Sequence, residues 1–193
     1  MIRFTKKLPV LLAVLCSLAS CTSNQKTADG NAEAETSTPN IIFLIGDGMG
    51  VPHISTTYYF GDEEANEILG GSGSDTLVGW ERGDNLDGGD GEDWLFGNRG
   101  NDDLEGNGGS DRLFAGKDDD RVSGGDGEDT IAGELGDDCI LGDVGNDLLL
   151  GNAGFDRIWG GDDNDSLFGG KDDDELFGES GDDFLSGDWG DDT

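Results

Sequence analysis

Residues 88–105 read GGDGEDWLFGNRGNDDLE. Divided after Phe96, the halves align as GGDGEDWLF and GNRGNDDLE, with glycine first and fourth, aspartate sixth and leucine eighth. The register extends both ways without insertion or deletion. From Gly61 to Thr193 it gives fourteen full nonapeptides and a final seven residues, GDWGDDT. The first position is glycine in every unit except at Ala115, and the sixth is aspartate except at Asn66. The eighth is always aliphatic, from Ile68 and Leu77 through Val122 to Leu176 and Leu185. A period this regular takes precedence over local secondary-structure signals, because a single short unit buries its apolar side only by stacking on its neighbours.

Each column has a physical role. Glycines let the six residues of a turn adopt positive φ and aim backbone carbonyls inward. Residues seven to nine then form a minimal strand with only the eighth pointing inside. The sixth adds carboxylate oxygen. Charge says what else is required. Residues 1–60 are neutral, so the formal net charge of -33 belongs to residues 61–193, where 40 acids face 7 bases. Such a segment repels nucleic acid and anionic membrane surfaces, and it reads as disordered unless cations neutralise it.

The glycine-first, aspartate-sixth, aliphatic-eighth nonapeptide resembles the repeat of the RTX calcium-binding proteins. The resemblance covers about two-thirds of the chain. It implies an all-β fold, a right-handed parallel β-roll (the RTX solenoid) over 61–193, in which two repeats complete one turn. It also implies several Ca2+ ions in two rows, held by turn carbonyls and by Asp75, Asp84, Asp93, Asp102, Asp111, Asp120, Asp129, Asp138, Asp147, Asp156, Asp165, Asp174, Asp183 and Asp192. Asp75 then stacks above Asp93, and Asp84 above Asp102. Calcium favours six to eight hard oxygens in a flexible cage, at roughly 10⁻⁴ to 10⁻³ M in extracellular modules. Stacked carboxylates about 5 Å apart repel without it, so calcium binding is expected to be coupled to folding and cooperative between neighbours. Some units depart from the pattern. Asp118, Asp163 and Asp172 replace the fourth-position glycine, which aspartate tolerates in left-handed geometry. Glu64 and Arg82 do so less well, so the first three repeats are expected to be weaker sites and a frayed cap. Fraying is also expected in the last turns, near Thr193.

Alternate repeats face opposite sides of a roll. On the even side, positions seven and nine hold Val78, Trp94, Phe96, Phe114, Ala132, Leu148, Leu150, Phe168 and Phe184, with Arg112 the one charge among them. The odd side mixes Leu69, Leu141, Trp159 and Phe177 with seven charged residues, and Cys139 reads there as a surface thiol. The apolar stripe suggests self-association.

The N-terminus carries different signals. MIRFTKKLPVLLAVLCSLASC has a basic start and an apolar stretch too short to span a bilayer, so residues 1–20 read as a signal peptide. Leu18-Ala19-Ser20-Cys21 resembles the bacterial lipobox, which implies lipidation of Cys21 and a membrane-anchored, extracytoplasmic lipoprotein or cell-surface protein, with secretion as the variant without an anchor. Residues 21–39 are small and polar, a flexible tether. The three cysteines, Cys16, Cys21 and Cys139, are too scattered for a disulfide framework.

Residues 40–60, NIIFLIGDGMGVPHISTTYYF, open with a short buried strand, Ile41 to Ile45, and a glycine turn. IIFLIGDGMG resembles the first core strand of bacterial alkaline phosphatases, which implies an active-site metal ligand at Asp47. That family's site needs Zn2+ and Mg2+, several imidazoles and a hydroxyl nucleophile. This chain has one histidine, His53, and no Asp-Ser-Ala segment. Asp47 is therefore a vestigial ligand, and no enzyme is expected. The leading expectation is a calcium-binding structural, adhesion or secretion and folding module. The alternative is a truncated or fused alkaline phosphatase, a phosphate monoester hydrolase whose catalytic body is absent from this chain.

Overall fold

A computed structural model of the chain describes residues 40–43 and 66–193. The expected signal peptide and tether, with Cys21, Asp47 and His53, lie outside the described residues. Within them there are fifteen strands and no helix. The odd-numbered strands β3 (Thr76–Glu81), β5 (Trp94–Arg99), β7 (Arg112–Lys117), β9 (Thr130–Leu135), β11 (Leu148–Ala153), β13 (Ser166–Lys171) and β15 (Phe184–Trp189) make a seven-stranded sheet. The other sheet has eight strands. It comprises β1 (Asn40–Phe43), β2 (Asn66–Ser72), β4 (Asn85–Asp90), β6 (Asp103–Gly108), β8 (Arg121–Asp126), β10 (Cys139–Val144), β12 (Arg157–Asp162) and β14 (Glu175–Ser180).

From β2 onward the chain alternates between the sheets, and neighbours within each are parallel with constant register, as in Leu77↔Leu95 and Ile140↔Ile158. Two nonapeptides thus close one coil, and the protein is a parallel β-solenoid of about seven coils. The eighth-position residues of all coils form one column between the sheets: Ile68, Leu77, Leu95 and Ile140 are each 0% exposed, and Leu176 is 8%. A one-residue slip would turn this column to solvent, so burial enforces the register.

The strands are longer than the sequence pattern suggests. From β3 onward each runs six residues, from position seven of one repeat to position three of the next, as in Thr76–Glu81. Two residues of each strand point inward, the eighth-position aliphatic and the first-position residue of the next repeat (Leu77 and Gly79 in β3). The glycines also divide their work differently from the expectation. Positive φ is confined to the second and fourth positions, for example Gly89 at 95° and Gly91 at 146°. The first-position glycines instead permit close approach. A Cβ on Gly88 would lie 2.5 Å from Asp93 Oδ2 and 3.0 Å from the Gly106 carbonyl oxygen. The nearly invariant column is therefore fixed by space, not by backbone conformation.

Departures from the repeat are absorbed locally. Asp118, Asp163 and Asp172 adopt φ of 76°, 81° and 75°, as aspartate can. Arg82 takes φ 79° with its side chain exposed, and the pairing of β2 with β4 keeps full register beside it. Among the described residues the strand pairing of the second and third repeats is regular. β1 pairs in parallel with β2, Asn40 opposite Asn66 and Phe43 opposite Leu69. The strand at the start of the phosphatase-like segment thus spans Asn40–Phe43 and extends the solenoid sheet, covering an edge that would otherwise offer unpaired backbone groups. Cys139 is buried at 9% exposure, not a surface thiol; it lies in register between Arg121 and Arg157.

Candidate metal centre

The sixth-position aspartates sit where each turn enters a strand. The repeat places one every nine residues, and the two-repeat coil sorts them into two rows, one along each edge of the solenoid. In one row the backbone N–H of Asp75 donates to Asp93 Oδ1 (2.7 Å), Asp93 to Asp111 (2.7 Å), Asp111 to Asp129 (2.8 Å) and Asp129 to Asp147 (2.8 Å). Asp147 and Asp165 continue it to Asp165 and Asp183 at 2.8 and 3.0 Å. The other row runs Asp84, Asp102, Asp120, Asp138 and Asp156 to Asp174, in links of 2.8 to 2.9 Å, and ends on Asp192 at 3.1 Å. The stacking expected from the sequence is present, with Oδ1 of each carboxylate joining it to the preceding coil.

The second oxygen is different. Oδ2 of Asp93, Asp102, Asp111, Asp120, Asp129 and their successors through Asp174 is buried with no hydrogen-bond partner. In most repeats it faces the first-position glycine of its own repeat, beside the carbonyl oxygen of the first-position residue one coil on, which is Ala115 for Asp102. The Gly88, Asp93 and Gly106 arrangement is one instance. A buried anionic oxygen without a donor costs several kcal/mol unless a cation meets it or a proton neutralises it. The residues thus fit a hard divalent cation, with the aspartates as anionic ligands and first-position carbonyls as neutral ones. Among the described residues no three His, Cys, Asp or Glu side chains gather around one point, so main-chain oxygens must complete any such site. Calcium accepts that donor set readily. Asp183 and Asp192, in the last coil, are half-buried rather than enclosed.

Among protein groups alone, burial raises these acids strongly, and the hydrogen bond from the preceding backbone N–H only partly opposes it. Asp93, Asp111, Asp129, Asp165 and Asp174 are pushed up to about 6. Asp102, Asp138 and Asp147 reach about 7, Asp156 about 8 and Asp120 about 9. The row containing Asp120 and Asp156 is the more strongly shifted.

A second polar ladder lies outside the first, at position five, and runs the opposite way. The N–H of Asp137 donates to Asp119 Oδ1 (3.1 Å), that of Phe155 to Asp137 Oδ1 (2.9 Å) and that of Asp182 to Asn164 Oδ1 (2.8 Å). Sequence reasoning passed over it, although the column signals it with Ser110, Asp119, Asp137, Asn146, Asn164 and Asp173. Phe155 interrupts the column, and its ring instead carries the Arg157 guanidinium at 4.9 Å.

Coiled parallel strands, two rows of stacked carboxylates and carbonyl-lined turns define a repeat solenoid of the cation-binding kind. The comparison with known families agrees. The RTX calcium-binding nonapeptide repeat (4 copies) matches residues 60–81, 81–113, 105–140, 141–176 and 159–193, and the chain belongs to that family. No curated protein and no solved structure matches it. The repeats bind calcium in a β-roll.

Proposed function

We propose that the chain is a non-enzymatic, extracytoplasmic calcium-binding module whose solenoid folds as it takes up several calcium ions. Cys21 holds it to a membrane through a lipid, and the roll serves as a structural, adhesion or folding element there. The carrying observation is the file of buried, unpartnered Oδ2 atoms facing glycine carbonyl oxygens. Each is an incomplete interaction that a cation completes. The fourteen sixth-position aspartates from Asp75 to Asp192 supply the anionic ligands, with the enclosed ones binding more tightly than Asp183 and Asp192.

The test is a calcium titration followed by far-UV circular dichroism, from excess chelator to roughly millimolar calcium. A cooperative gain of β signal is expected, and an unchanged spectrum overturns the reading. The anchor is tested separately. In a bacterial host, Cys21→Ser should move the protein from the membrane pellet to the soluble fraction and abolish incorporation of labelled fatty acid. The phosphatase alternative, with zinc and magnesium at Asp47, falls outside the described residues, and hydrolysis of a chromogenic phosphate ester with both metals would support it.

A further inference from the structure

The two outer faces of the solenoid are chemically unlike. Strands β2 to β14 of the eight-stranded sheet carry ten carboxylates and two arginines. Those of the seven-stranded sheet carry three carboxylates and four basic residues. In a chain of formal net charge -33, the latter is the sheet without a negative excess. Its charges are also partly satisfied: Arg99 bonds Glu81 at 3.0 Å and the Arg112 guanidinium lies 5.1 Å over the Trp94 ring. Leaving aside Leu185, which ends the inward column, five of the seven exposed large apolar side chains among the described residues lie on this sheet, with Val144 and Phe177 on the other. The Phe96 and Phe114 rings stack at 5.3 Å within 8° of parallel, Trp94 packs 6.1 Å from Phe96, and Phe168 meets Phe184 at 5.5 Å.

We infer that two copies of the folded roll associate face to face through the outer surface of the seven-stranded sheet. Three considerations select this partner. Seven strands about 4.8 Å apart and about 20 Å long offer roughly 650 Å² per copy, or about 1,300 Å² in total, above the roughly 1,000 Å² that a specific interface needs. Burying the other sheet would desolvate its carboxylates, whereas this one brings flat aromatic rings together. The pairing also keeps the two acidic sheets on opposite outer sides, where their mutual repulsion is weakest. Because each copy uses the same patch, the pair closes on a two-fold axis and does not propagate. The central strand, β9, then lies near its own counterpart.

The inference deepens the self-association expected of a calcium-folded roll and requires only that the roll be folded. The test is sedimentation velocity of the full chain in saturating calcium, over about a hundredfold range of concentration, with circular dichroism on every sample. The wild type should sediment as a concentration-dependent dimer. Phe96→Ser with Phe168→Ser should weaken it by roughly tenfold or more. Thr130→Glu, a surface change that places two carboxylates near the axis, should do the same without disturbing the core. Phe177→Ser on the other sheet should leave the dimer unchanged. A folded monomer at every concentration overturns the inference while leaving calcium-coupled folding intact. So does an assembly weakened by Phe177→Ser, or one that grows beyond two copies. Failure of the calcium reading is distinct, because the circular dichroism signal itself would be missing.

Discussion

Protons should be able to replace calcium in folding this solenoid. Consider the full chain in excess chelator, taken from pH 8 to pH 4. An aspartate raised from 3.8 to about 6 in the folded state, such as Asp111, disfavours folding by about 3 kcal/mol once ionised, at 1.36 kcal/mol per pKa unit. The carboxyl is 1% exposed, so solvent screening removes little of this. Asp120, pushed to about 9, contributes about 4 kcal/mol at pH 7, where its unfolded form is already ionised. Ten aspartates are raised to about 6 or beyond. Any four of them together match the roughly 5–15 kcal/mol by which a typical domain is stable. The direction follows from the raised values. Each contribution to stability is fully present below the unfolded pKa of 3.8 and is lost as pH rises through the folded values of about 6 to 9. The chelated chain should therefore be a coil at pH 7 and gain β signal by far-UV circular dichroism between about pH 6 and pH 4. Dilute samples are needed there, because the sequence pI is about 4.1. A chelated chain already β-rich at pH 7.5, or one that gains no structure on acidification, refutes the reasoning.

Asp111→Asn should act with opposite signs in the two conditions: it keeps the acceptor for the Asp93 N–H (2.7 Å) but removes the charge. It should raise the calcium midpoint, yet make the chelated chain easier to fold by up to about 3 kcal/mol at pH 7, read from calcium and acid titrations of the same protein. Gly106→Ala would drive a Cβ to 2.5 Å from Asp111 Oδ2 and against the Gly124 carbonyl; a loss of about 1–3 kcal/mol should appear in chemical denaturation at fixed calcium. Gly73→Ala is the control, with φ at +108° but open space around its Cβ, and should lose only about 1 kcal/mol. Glu134→Gly relieves an exposed residue held at φ 78° and should raise the thermal midpoint in calcium, equivalent to up to about 1 kcal/mol.

What the sequence revealed was whatever recurs every nine residues. The aliphatic column, the aspartate rows and the two-repeat coil all follow from the period, because register and burial enforce each other. What it left hidden depends on distances between coils. The first-position glycine looks like a turn residue in the string GGDGED, yet Gly88 is needed because Asp93 and the Gly106 carbonyl crowd its Cα. Inspecting the local sequence cannot reveal a neighbour eighteen residues away. The strand extends to the third position because parallel pairing continues through the positive-φ residue, as Gly89↔Asn107 and Asp90↔Gly108 show. Turn composition concealed that. The strand at Ile41 was expected, but its partner was not. Asn40–Phe43 lies outside the repeat and joins the solenoid through backbone pairing with β2 alone, which side-chain patterns do not encode.

The two oxygens of each sixth-position aspartate divide one task, and that division should make the rows cooperative. Asp93 Oδ1 accepts from the Asp75 N–H, while the Asp93 N–H donates to Asp111 Oδ1. Each residue is thus fixed on both sides by the coils before and after it. A cation held at Asp93 Oδ2 would order that carboxylate, which would order the Asp75 backbone through Oδ1 and present the Asp93 N–H to Asp111. The next site is therefore partly built before its own ion arrives, as expected of a one-dimensional array with nearest-neighbour coupling. Coupling of this kind would run along a row, so the row through Asp120 and the row through Asp111 should respond as two lines, joined by the strands between them and by the aliphatic column.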